Sequence, residues 1–351
     1  MKEIIFITPD LANGGAERVT AILAEELARQ SIRVYLGFMK DSKKAYDVSE
    51  RVQILYFFSE SKVKPVQIAK KIIRLRRFLK QHQEASVVAM LPFETLYTHI
   101  ACIGLPNRTV FSLRNDPKNM KGISGGIIRN IIYVKADRIV FQTETAKAFF
   151  SKRIQEHSCV IPNPVSKGLP APYTGERKKE IVSVGRLEPQ KNHTLLLEAF
   201  ADIHRKHPDW KLVIYGQGSL LNNLKELCRK LGIFNDVQFR GFISDIPEHI
   251  AQSGMFVLAS DYEGISNAML EAMAMGIPCI CTDCPAGGAR MMIKDHKNGI
   301  LVPVGEKSCL ARAMLELIEN PSLADTLSEE AVKIRDTLSV GKIAEKWREL
   351  L

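Results

Sequence analysis

Short runs of β-branched and apolar residues alternate with longer amphipathic stretches along the whole chain. In the first half, this pattern predicts strands at 4–8, 33–38, 52–57, 86–90, 109–113 and 138–142, with a first amphipathic helix at 15–30. In the second half, it predicts strands at 181–184, 211–215, 237–240, 256–259 and 278–282, with helices at 193–207, 219–231, 266–275 and 308–318. Two successive βαβ series of this kind predict two α/β domains, each with a parallel, doubly wound sheet.

The alternation is interrupted once, by a segment rich in proline, glycine and charge. Pro162-Asn-Pro164 is followed by further prolines and glycines up to Gly175 and then by the charged run 176–180. Such a segment is typical of a linker, so we predict a domain boundary near residue 165. A length of 351 residues fits this division into two domains.

Composition places the chain among soluble globular enzymes, and the charge is distributed unevenly. The chain is 46% hydrophobic and 25% charged, which excludes a disordered chain and a polytopic membrane protein. Residues 1–165 hold 26 basic and 15 acidic residues, whereas 166–351 hold 23 and 24. The first half is therefore expected to meet an anionic partner: nucleic acid, an anionic membrane surface or a phosphorylated substrate. A solvated basic face is the alternative.

The seven cysteines are odd in number and irregularly spread, which favours a reducing cytosol over a disulfide framework. Cys279-Ile-Cys281-Thr-Asp-Cys284 has no second cysteine or histidine pair at a suitable spacing, and we interpret it as a buried strand rather than a zinc site. The chain passes from Met-Lys-Glu directly into a strand, so we predict no signal peptide. The apolar run 87–105 is interrupted by a proline, a glutamate and a histidine, so we predict no spanning helix and a cytoplasmic protein.

Two turns between a strand and a helix have the residue types that bind phosphate. In Asn13-Gly-Gly-Ala-Glu-Arg18 the two glycines allow close approach of an anion to a helix N-terminus, although a plain tight turn uses the same residues. Neither a Gly-x-Gly-x-x-Gly fingerprint nor a P-loop is present, which argues against a dinucleotide dehydrogenase and a P-loop NTPase. In the second turn, Arg186 and Lys191 stand five residues apart across a loop with Pro189, so both cations can converge on a diphosphate.

A pair of glutamates follows a predicted buried strand further along. Glu263 lies in the strand-to-helix loop, and Glu271 lies about a turn and a half inside the next helix. Such a pair is common on surface helices, but this one follows a buried strand and lies downstream of the Arg186 and Lys191 loop. We therefore expect both carboxylates at the same ligand site.

These motifs, in this order, resemble the donor-binding half of the family 4 retaining glycosyltransferases. The resemblance rests on Arg186 with Lys191, Gly216-Gln-Gly218, Phe239-Arg-Gly-Phe242, Glu263-x7-Glu271 and the following Ala272-Met-Ala-Met-Gly-Ile-Pro278. Asn13-Gly-Gly-Ala-Glu-Arg18 and Val160-Ile-Pro-Asn-Pro164 resemble the family's N-terminal loop and its run into the linker. The resemblance implies a GT-B fold: an acceptor-binding Rossmann-like domain at 1–165, a nucleotide-sugar-binding one at 166–337 facing it across a cleft, and a helix in 338–351 that returns to the first domain.

The resemblance also implies roles for individual residues. Arg186 and Lys191 would neutralise the donor diphosphate and stabilise the charge that develops on it, Glu263 would contact the donor sugar, and Glu271 would accept hydrogen bonds from the ribose. The remaining implied donor-binding residues are Gly15, Gly216, Phe242, Ile243, Gly264, Ile265, Ser266 and Asn267. No Asp-x-Asp motif appears, so transfer is expected to need no metal and no cofactor besides the nucleotide sugar, most simply a UDP-sugar.

The acceptor side is less clearly marked. Ser112-Leu-Arg-Asn-Asp-Pro117 follows a strand where many relatives carry a histidine near the reaction centre, and this chain has none there. Arg114 and Asn115, together with Gly14 and Glu17, are the candidate acceptor-binding residues. A purely structural turn is the alternative for Arg114 and Asn115.

A basic amphipathic helix is predicted between residues 62 and 80. Eight Lys and Arg residues occur there, and no acidic residue lies between Glu60 and Glu84. Apolar residues recur at helical spacing beneath this charge, as in helices that rest on anionic membranes. We predict that Lys70, Lys71, Arg74 and Arg77 bind the cytoplasmic face of a membrane, where a polyprenyl-diphosphate-linked glycan would be the acceptor. A helix packed on its sheet with a solvated outer face is the alternative.

Two other classes of function stay open on the sequence. A UDP-sugar 2-epimerase shares the two-domain fold, although the order of the Arg/Lys and Glu-x7-Glu motifs favours transfer. A nucleic-acid-binding protein would explain the charge, but the basic stretch has few aromatic residues and no recognition motif. We therefore expect no nucleic-acid partner.

Overall fold

The computed structural model describes residues 2–12, 14–41 and 48–351. The chain divides into two compact units, the first formed by 1–164 with 340–351 and the second by 165–339. The predicted boundaries at 165/166 and 337/338 lie within two residues of this division. The last segment, 340–351, belongs to the first unit.

The first unit contains a seven-stranded sheet in the order β3-β2-β1-β4-β5-β6-β7, with all neighbours parallel. Its strands are β1 Glu3–Thr8, β2 Arg33–Phe38, β3 Val52–Tyr56, β4 Ser86–Ala89, β5 Thr109–Leu113, β6 Arg138–Phe141 and β7 Ser158–Val160. The six predicted strands are confirmed to within one residue at each end. The short β7 was not predicted, because its three residues are all only half-buried and show no apolar run.

Helices cover both faces of this sheet. They are α1 Gly15–Arg29, α2 Lys64–Gln81, α3 Pro92–Cys102, α4 Gly122–Ile127, α5 Tyr133–Lys135, α6 Glu144–Ala148, α7 Lys152–Glu156 and, from the end of the chain, α16 Val340–Arg348. A π-helical turn, Ile128–Ile132, joins α4 to α5 without a break. Helix α16 packs against α1, and its Trp347 is the largest fully buried side chain of the described residues. On the opposite face, α2, α3 and the π turn contribute to one apolar core, with Leu75 and Ile128 among its members.

The second unit contains a six-stranded parallel sheet in the order β10-β9-β8-β11-β12-β13. Its strands are β8 Lys178–Val184, β9 Lys211–Tyr215, β10 Val237–Gly241, β11 Ser253–Leu258, β12 Cys279–Thr282 and β13 Ile300–Val302. The prediction that the linker extends through residue 180 is wrong for its last three residues. The Lys178 N–H donates to the Gln252 carbonyl oxygen at 2.9 Å and the Ser253 hydroxyl donates to Glu180 at 2.7 Å, so a polar strand start is held by its neighbour.

The helices of the second unit carry the apolar stripes that bury its sheet. They are α8 His193–His204, α9 Leu221–Leu231, α10 Ile246–Ile250, α11 Asn267–Ala274, α12 Gly288–Met292, α13 Lys307–Glu319, α14 Pro321–Ala331 and α15 Ile334–Thr337. Cys279 and Cys281 are fully buried in β12, which confirms the interpretation of this cysteine run as a buried strand. Within the described residues, no helix has both the length and the apolar character needed to span a bilayer.

Candidate functional site

The loop after β8 brings Arg186 and Lys191 together with a residue that the sequence did not indicate. Gln190 is 7% exposed and its side-chain oxygen accepts a hydrogen bond from Arg186 Nη2 at 3.2 Å. Its Nε2 donates to the Tyr262 carbonyl oxygen at 3.0 Å and to Glu263 Oε1 at 3.5 Å. Gln190 therefore connects the loop that carries both cations to the loop that carries Glu263.

Lys191 and Glu263 form an ion pair within this site. Lys191 Nζ lies 2.5 Å from Glu263 Oε2, and both side chains are largely shielded from solvent. The Ser260 hydroxyl donates to the same carboxylate oxygen at 3.3 Å. Beside this pair, burial is the main cause that lowers the pKa of His193 to about 4, and Lys191 adds to it, so His193 is neutral at physiological pH. A charge pair that is largely shielded from solvent and has additional hydrogen bonds is held in one geometry.

Glycines allow the loops of this site to touch backbone to backbone. A Cβ on Gly216 would collide with the Gly185 carbonyl oxygen, and one on Gly218 would collide with the backbone of Leu187. The Leu187 N–H donates to the Gln217 carbonyl oxygen at 2.9 Å. The Gly216-Gln-Gly218 motif therefore fixes the position of the loop that carries Arg186, since only glycine leaves room for this approach.

The second glutamate lies deeper, in α11. Gly264, Ile265 and Ser266 are buried, and Ser266 caps the helix by accepting a hydrogen bond from the Met269 N–H at 3.4 Å. Glu271 is buried one turn further on, where the Ser166 hydroxyl donates to its Oε1 at 2.8 Å. The Ser166 hydroxyl therefore donates a hydrogen bond to the Glu271 carboxylate, to which the resemblance assigns the ribose of the donor. Asn267 is the first residue of the helix.

Two further glycines and the predicted donor-binding residues Phe242 and Ile243 also lie at this edge of the sheet. A Cβ on Gly288, the first residue of α12, would collide with the Gly264 carbonyl oxygen, so the start of α12 lies directly against the Glu263 loop. Phe242 and Ile243 follow β10, where Phe242 is exposed and Ile243 is half-buried. The structure thus places the predicted donor residues of the second unit on the loops that follow β8, β9, β10 and β11, except Asn267 and Glu271, which belong to α11. Burial raises the pKa of the Cys284 thiol beneath them to about 12, which makes it unreactive.

In the first unit, the predicted glycine turn lies at the start of α1. Asn13 falls outside the described residues; Gly14 is the N-cap of α1, Gly15 is its first residue, and the Glu17 carboxylate folds back against Gly14. Glu94, in the first turn of α3, is 5% exposed, and its burial raises its pKa to about 7. The charges of Lys40 and Lys71 oppose this rise and that of Glu17 adds to it. Glu94 was missed because a glutamate after a proline at a helix start is an ordinary feature of surface helices.

The predicted acceptor-binding residue Arg114 lies against Trp347 and Met90. Its guanidinium lies over the ring of Trp347 at 5.5 Å, and Nη2 is 3.6 Å from the Met90 sulfur. Its Nε and Nη1 atoms have no hydrogen-bond acceptor in the described part of the chain, and burial lowers the pKa of Arg114 to about 9. Asn115 accepts a hydrogen bond from the Asp116 N–H at 2.8 Å. The segment therefore has the contacts of a structural turn as well as a buried cation.

The four predicted membrane-binding residues do not share one face of α2. Lys70, Arg74 and Arg77 are exposed, and Arg74 donates to the Phe58 carbonyl oxygen. Lys71 is only 8% exposed, so its assignment to the membrane face is wrong. Burial lowers its pKa, and the nearby Glu94 opposes that change. Lys71 points inward because it is four residues before the buried Leu75 on the same helical stripe.

Two family models together match most of the chain. The model of "Glycosyltransferase Family 4" matches residues 13–167, and that of "Glycosyl transferases group 1" matches residues 171–334. The first match lies almost entirely within the first unit, and the second match lies within the second unit. In the described residues, no cluster of three or more His, Cys, Asp or Glu side chains is arranged to hold a metal.

Comparisons over the full length agree with these matches. The chain is 26% identical to an uncharacterised glycosyltransferase of Haemophilus influenzae, with both chains covered completely. It is also 26% identical to the N-acetylgalactosamine-N,N'-diacetylbacillosaminyl-diphospho-undecaprenol 4-alpha-N-acetylgalactosaminyltransferase of Campylobacter jejuni, over 99% of each chain. A crystal structure of Anabaena HepE in complex with UDP superposes with a TM-score of 0.80 at 19% identity, over 99% of each chain.

Proposed function

Because the chain belongs to the group 1 glycosyltransferases of family 4 and has their GT-B fold, we propose the details of its reaction. The enzyme transfers a sugar, with retention of anomeric configuration and without a metal, from a UDP-sugar to a polyprenyl-diphosphate-linked glycan. Transfer takes place at the cytoplasmic face of a membrane. The first unit binds the acceptor and the second unit binds the donor.

One observation carries the donor half of this proposal: the connected cluster of Arg186, Gln190, Lys191 and Glu263. Two cations and one carboxylate are held together at the carboxyl ends of parallel strands, where ligands of such folds bind. The two cations can bind the oxygens of a diphosphate, and the carboxylate can accept hydrogen bonds from sugar hydroxyls. The HepE structure with UDP supports uracil as the base.

The residues then have the following parts in a front-side reaction. The oxygen of an acceptor hydroxyl attacks the anomeric carbon while the bond from that carbon to the diphosphate oxygen breaks. The electron pair of the broken bond stays on the diphosphate, which takes the acceptor proton and leaves as UDP. Arg186 and Lys191 stabilise this growing negative charge, which is the kind of interaction that contributes most to catalysis. Glu263 orients the sugar, and Glu271 accepts hydrogen bonds from the ribose in place of the Ser166 hydroxyl.

The acceptor class rests on two independent observations. The Campylobacter relative is named for a diphospho-undecaprenol acceptor. The surplus of basic residues lies in the first half of the chain, where Lys70, Arg74 and Arg77 are exposed on α2. Each such cation near an anionic lipid surface contributes about 1 kcal/mol to binding.

A panel of nucleotide sugars tests the proposal directly. We expect one UDP-N-acetylhexosamine or UDP-hexose to release UDP when a polyprenyl-diphosphate-linked glycan is present, with a chelator leaving the rate unchanged. The new linkage, assigned by nuclear magnetic resonance, should keep the anomeric configuration of the donor.

Three results would contradict parts of it. Conversion of the donor sugar without any acceptor would favour a UDP-sugar 2-epimerase. An inverted linkage would exclude retention. Trapping of a covalent glycosyl adduct on Glu263 would replace the front-side path by a two-step one.

A further inference from the structure

Three helical segments lie side by side over one face of the sheet of the first unit. Helix α2 packs against α3, and α3 packs against the π turn between α4 and α5. Their inner residues, such as Leu79 of α2, Cys102 of α3 and Ile132 of the π turn, belong to one buried core. Their outer faces therefore form one continuous layer on the outside of this unit.

This outer layer exposes an unusual number of large apolar side chains. On the continuous helix from α4 to α5, Ile123 is 86% exposed, and Ile127 and Ile131 are also exposed. Spacings of four residues place these three isoleucines along one edge of the helix. The neighbouring helices contribute Phe93 and Ile100 of α3, seven residues apart, and Ile73 of α2. Large apolar side chains grouped on one exposed face of a protein mark an interaction surface.

The charge around these residues is mostly positive. Residues 61–136 contain 14 Lys and Arg residues, nine of them exposed, and three acidic ones, Glu84, Glu94 and Asp116; the exposed Glu60 and Asp137 lie just outside this range. Glu94 and Asp116 are each only 5% exposed, so Glu84 is the one exposed acidic side chain of the segment. On α2, the exposed Lys70 and Arg77 flank the exposed Ile73 on the same helical stripe. The layer therefore offers apolar side chains and cations together, which is the chemistry that an anionic lipid bilayer binds.

We propose that the outer faces of α2, α3 and the α4–α5 helix form one membrane-docking surface for an anionic phospholipid bilayer. In this surface, the edge formed by Ile123, Ile127 and Ile131 inserts between the lipid headgroups, and the surrounding cations bind lipid phosphates. The proposal rests on the lipid-linked acceptor proposed above and moves the main apolar contact from α2 to a helix that the sequence did not single out. Lys71, which points into the protein, has no part in it.

Vesicle flotation tests the surface, with vesicles of phosphatidylcholine alone and vesicles that also contain phosphatidylglycerol. The triple variant Ile123→Gln, Ile127→Gln, Ile131→Gln removes the apolar edge and keeps residues that form helices well. We expect it to bind the phosphatidylglycerol vesicles at least about tenfold more weakly than the wild type. The double variant Phe234→Gln, Met291→Gln, which changes exposed apolar residues of the second unit, serves as the control and should bind like the wild type.

Hydrolysis of the nucleotide sugar in the absence of vesicles separates this proposal from the proposed function. The triple variant should hydrolyse the donor at the wild-type rate and unfold at the wild-type temperature, because its changed side chains are exposed. Wild-type binding of vesicles by the triple variant would overturn the docking surface and leave the transferase intact. Equal flotation of the wild type with both kinds of vesicle would also overturn it. So would concentration-dependent self-association that the variant abolishes, since it would assign the surface to a second copy of the chain.

Discussion

The two units differ in how charged side chains are arranged at the carboxyl ends of their parallel strands. In the second unit, Lys191 is paired with Glu263, and Gln190 ties this pair to Arg186. In the first unit, Glu94 and Arg114 are each largely buried and form no ion pair with the residues that the structure describes. Similar topology therefore supports a cluster of paired charges in one unit and, in the other, buried ionisable groups without a direct ion pair among the described residues.

The two units therefore place their charged side chains in different parts of the fold. In the site proposed to bind the donor diphosphate, Glu263 holds Lys191 and Gln190 holds Arg186, so both cations are positioned in advance. The first unit instead carries its surplus cations on the outer faces of its helices, while burial drives Glu94 towards its neutral form. Substitutions in each of the two units test this difference.

The largest effect is expected from removing one of the paired cations. Lys191→Ala should lower kcat by about 10²- to 10³-fold, because charge on the leaving diphosphate then lacks one of its two positioned donors. Steady-state release of UDP measures it. Lys179→Ala is the matched control, since Lys179 of the same unit pairs with Asp209 at the surface. If both variants behaved alike, the paired cluster would have no special role in catalysis.

A second effect concerns the stability of the first unit. The folded protein keeps the Glu94 proton up to about pH 7, whereas an unfolded chain releases it near pH 4.5. The folded state therefore binds more protons between these values, and the free energy of unfolding falls as the pH rises through this range, by about 3 kcal/mol. Glu94→Gln removes this loss and should be more stable than the wild type at pH 8.

Denaturant unfolding from pH 4.5 to 8 measures this dependence. The control is Glu84→Gln, which changes an exposed glutamate of the same unit and should keep the wild-type slope. Parallel curves for Glu94→Gln and the wild type would mean that Glu94 ionises normally, and the contrast between the two units would disappear.

The smallest effect is expected from Gln190, a positioning residue. Gln190→Ala keeps both cations and Glu263 but removes the bridge between their loops, so kcat/KM should fall about tenfold, or ~1.4 kcal/mol. We expect most of the loss in kcat, because the diphosphate still binds both cations but is held less precisely. Gln190→Glu should fall further, since an added carboxylate opposes the diphosphate. An unchanged kcat in Gln190→Ala, as expected for the exposed control Gln238→Ala, would show that the ion pair orients itself.

The sequence predicted the alternation of strands and helices well, because parallel strands buried on both faces appear as continuous apolar runs. It failed where the local pattern is weak: β13 has three residues, and β8 begins with three charged or polar ones. In the candidate site, charge and motif spacing indicated Arg186, Lys191 and both glutamates. Gln190 and Ser166 were missed because their importance comes from contacts with residues 73 and 105 positions away. Such partners become visible only once the chain is folded.

The buried position of Trp347 has a consequence for the order in which the two units can fold. The first unit needs α16 from the far end of the chain, and its largest fully buried side chain is made only four residues before the end of this sequence. The second unit is continuous and has all its residues by position 339. Since domains fold as units, we expect the first unit to complete its core only after every residue of the second unit has been made.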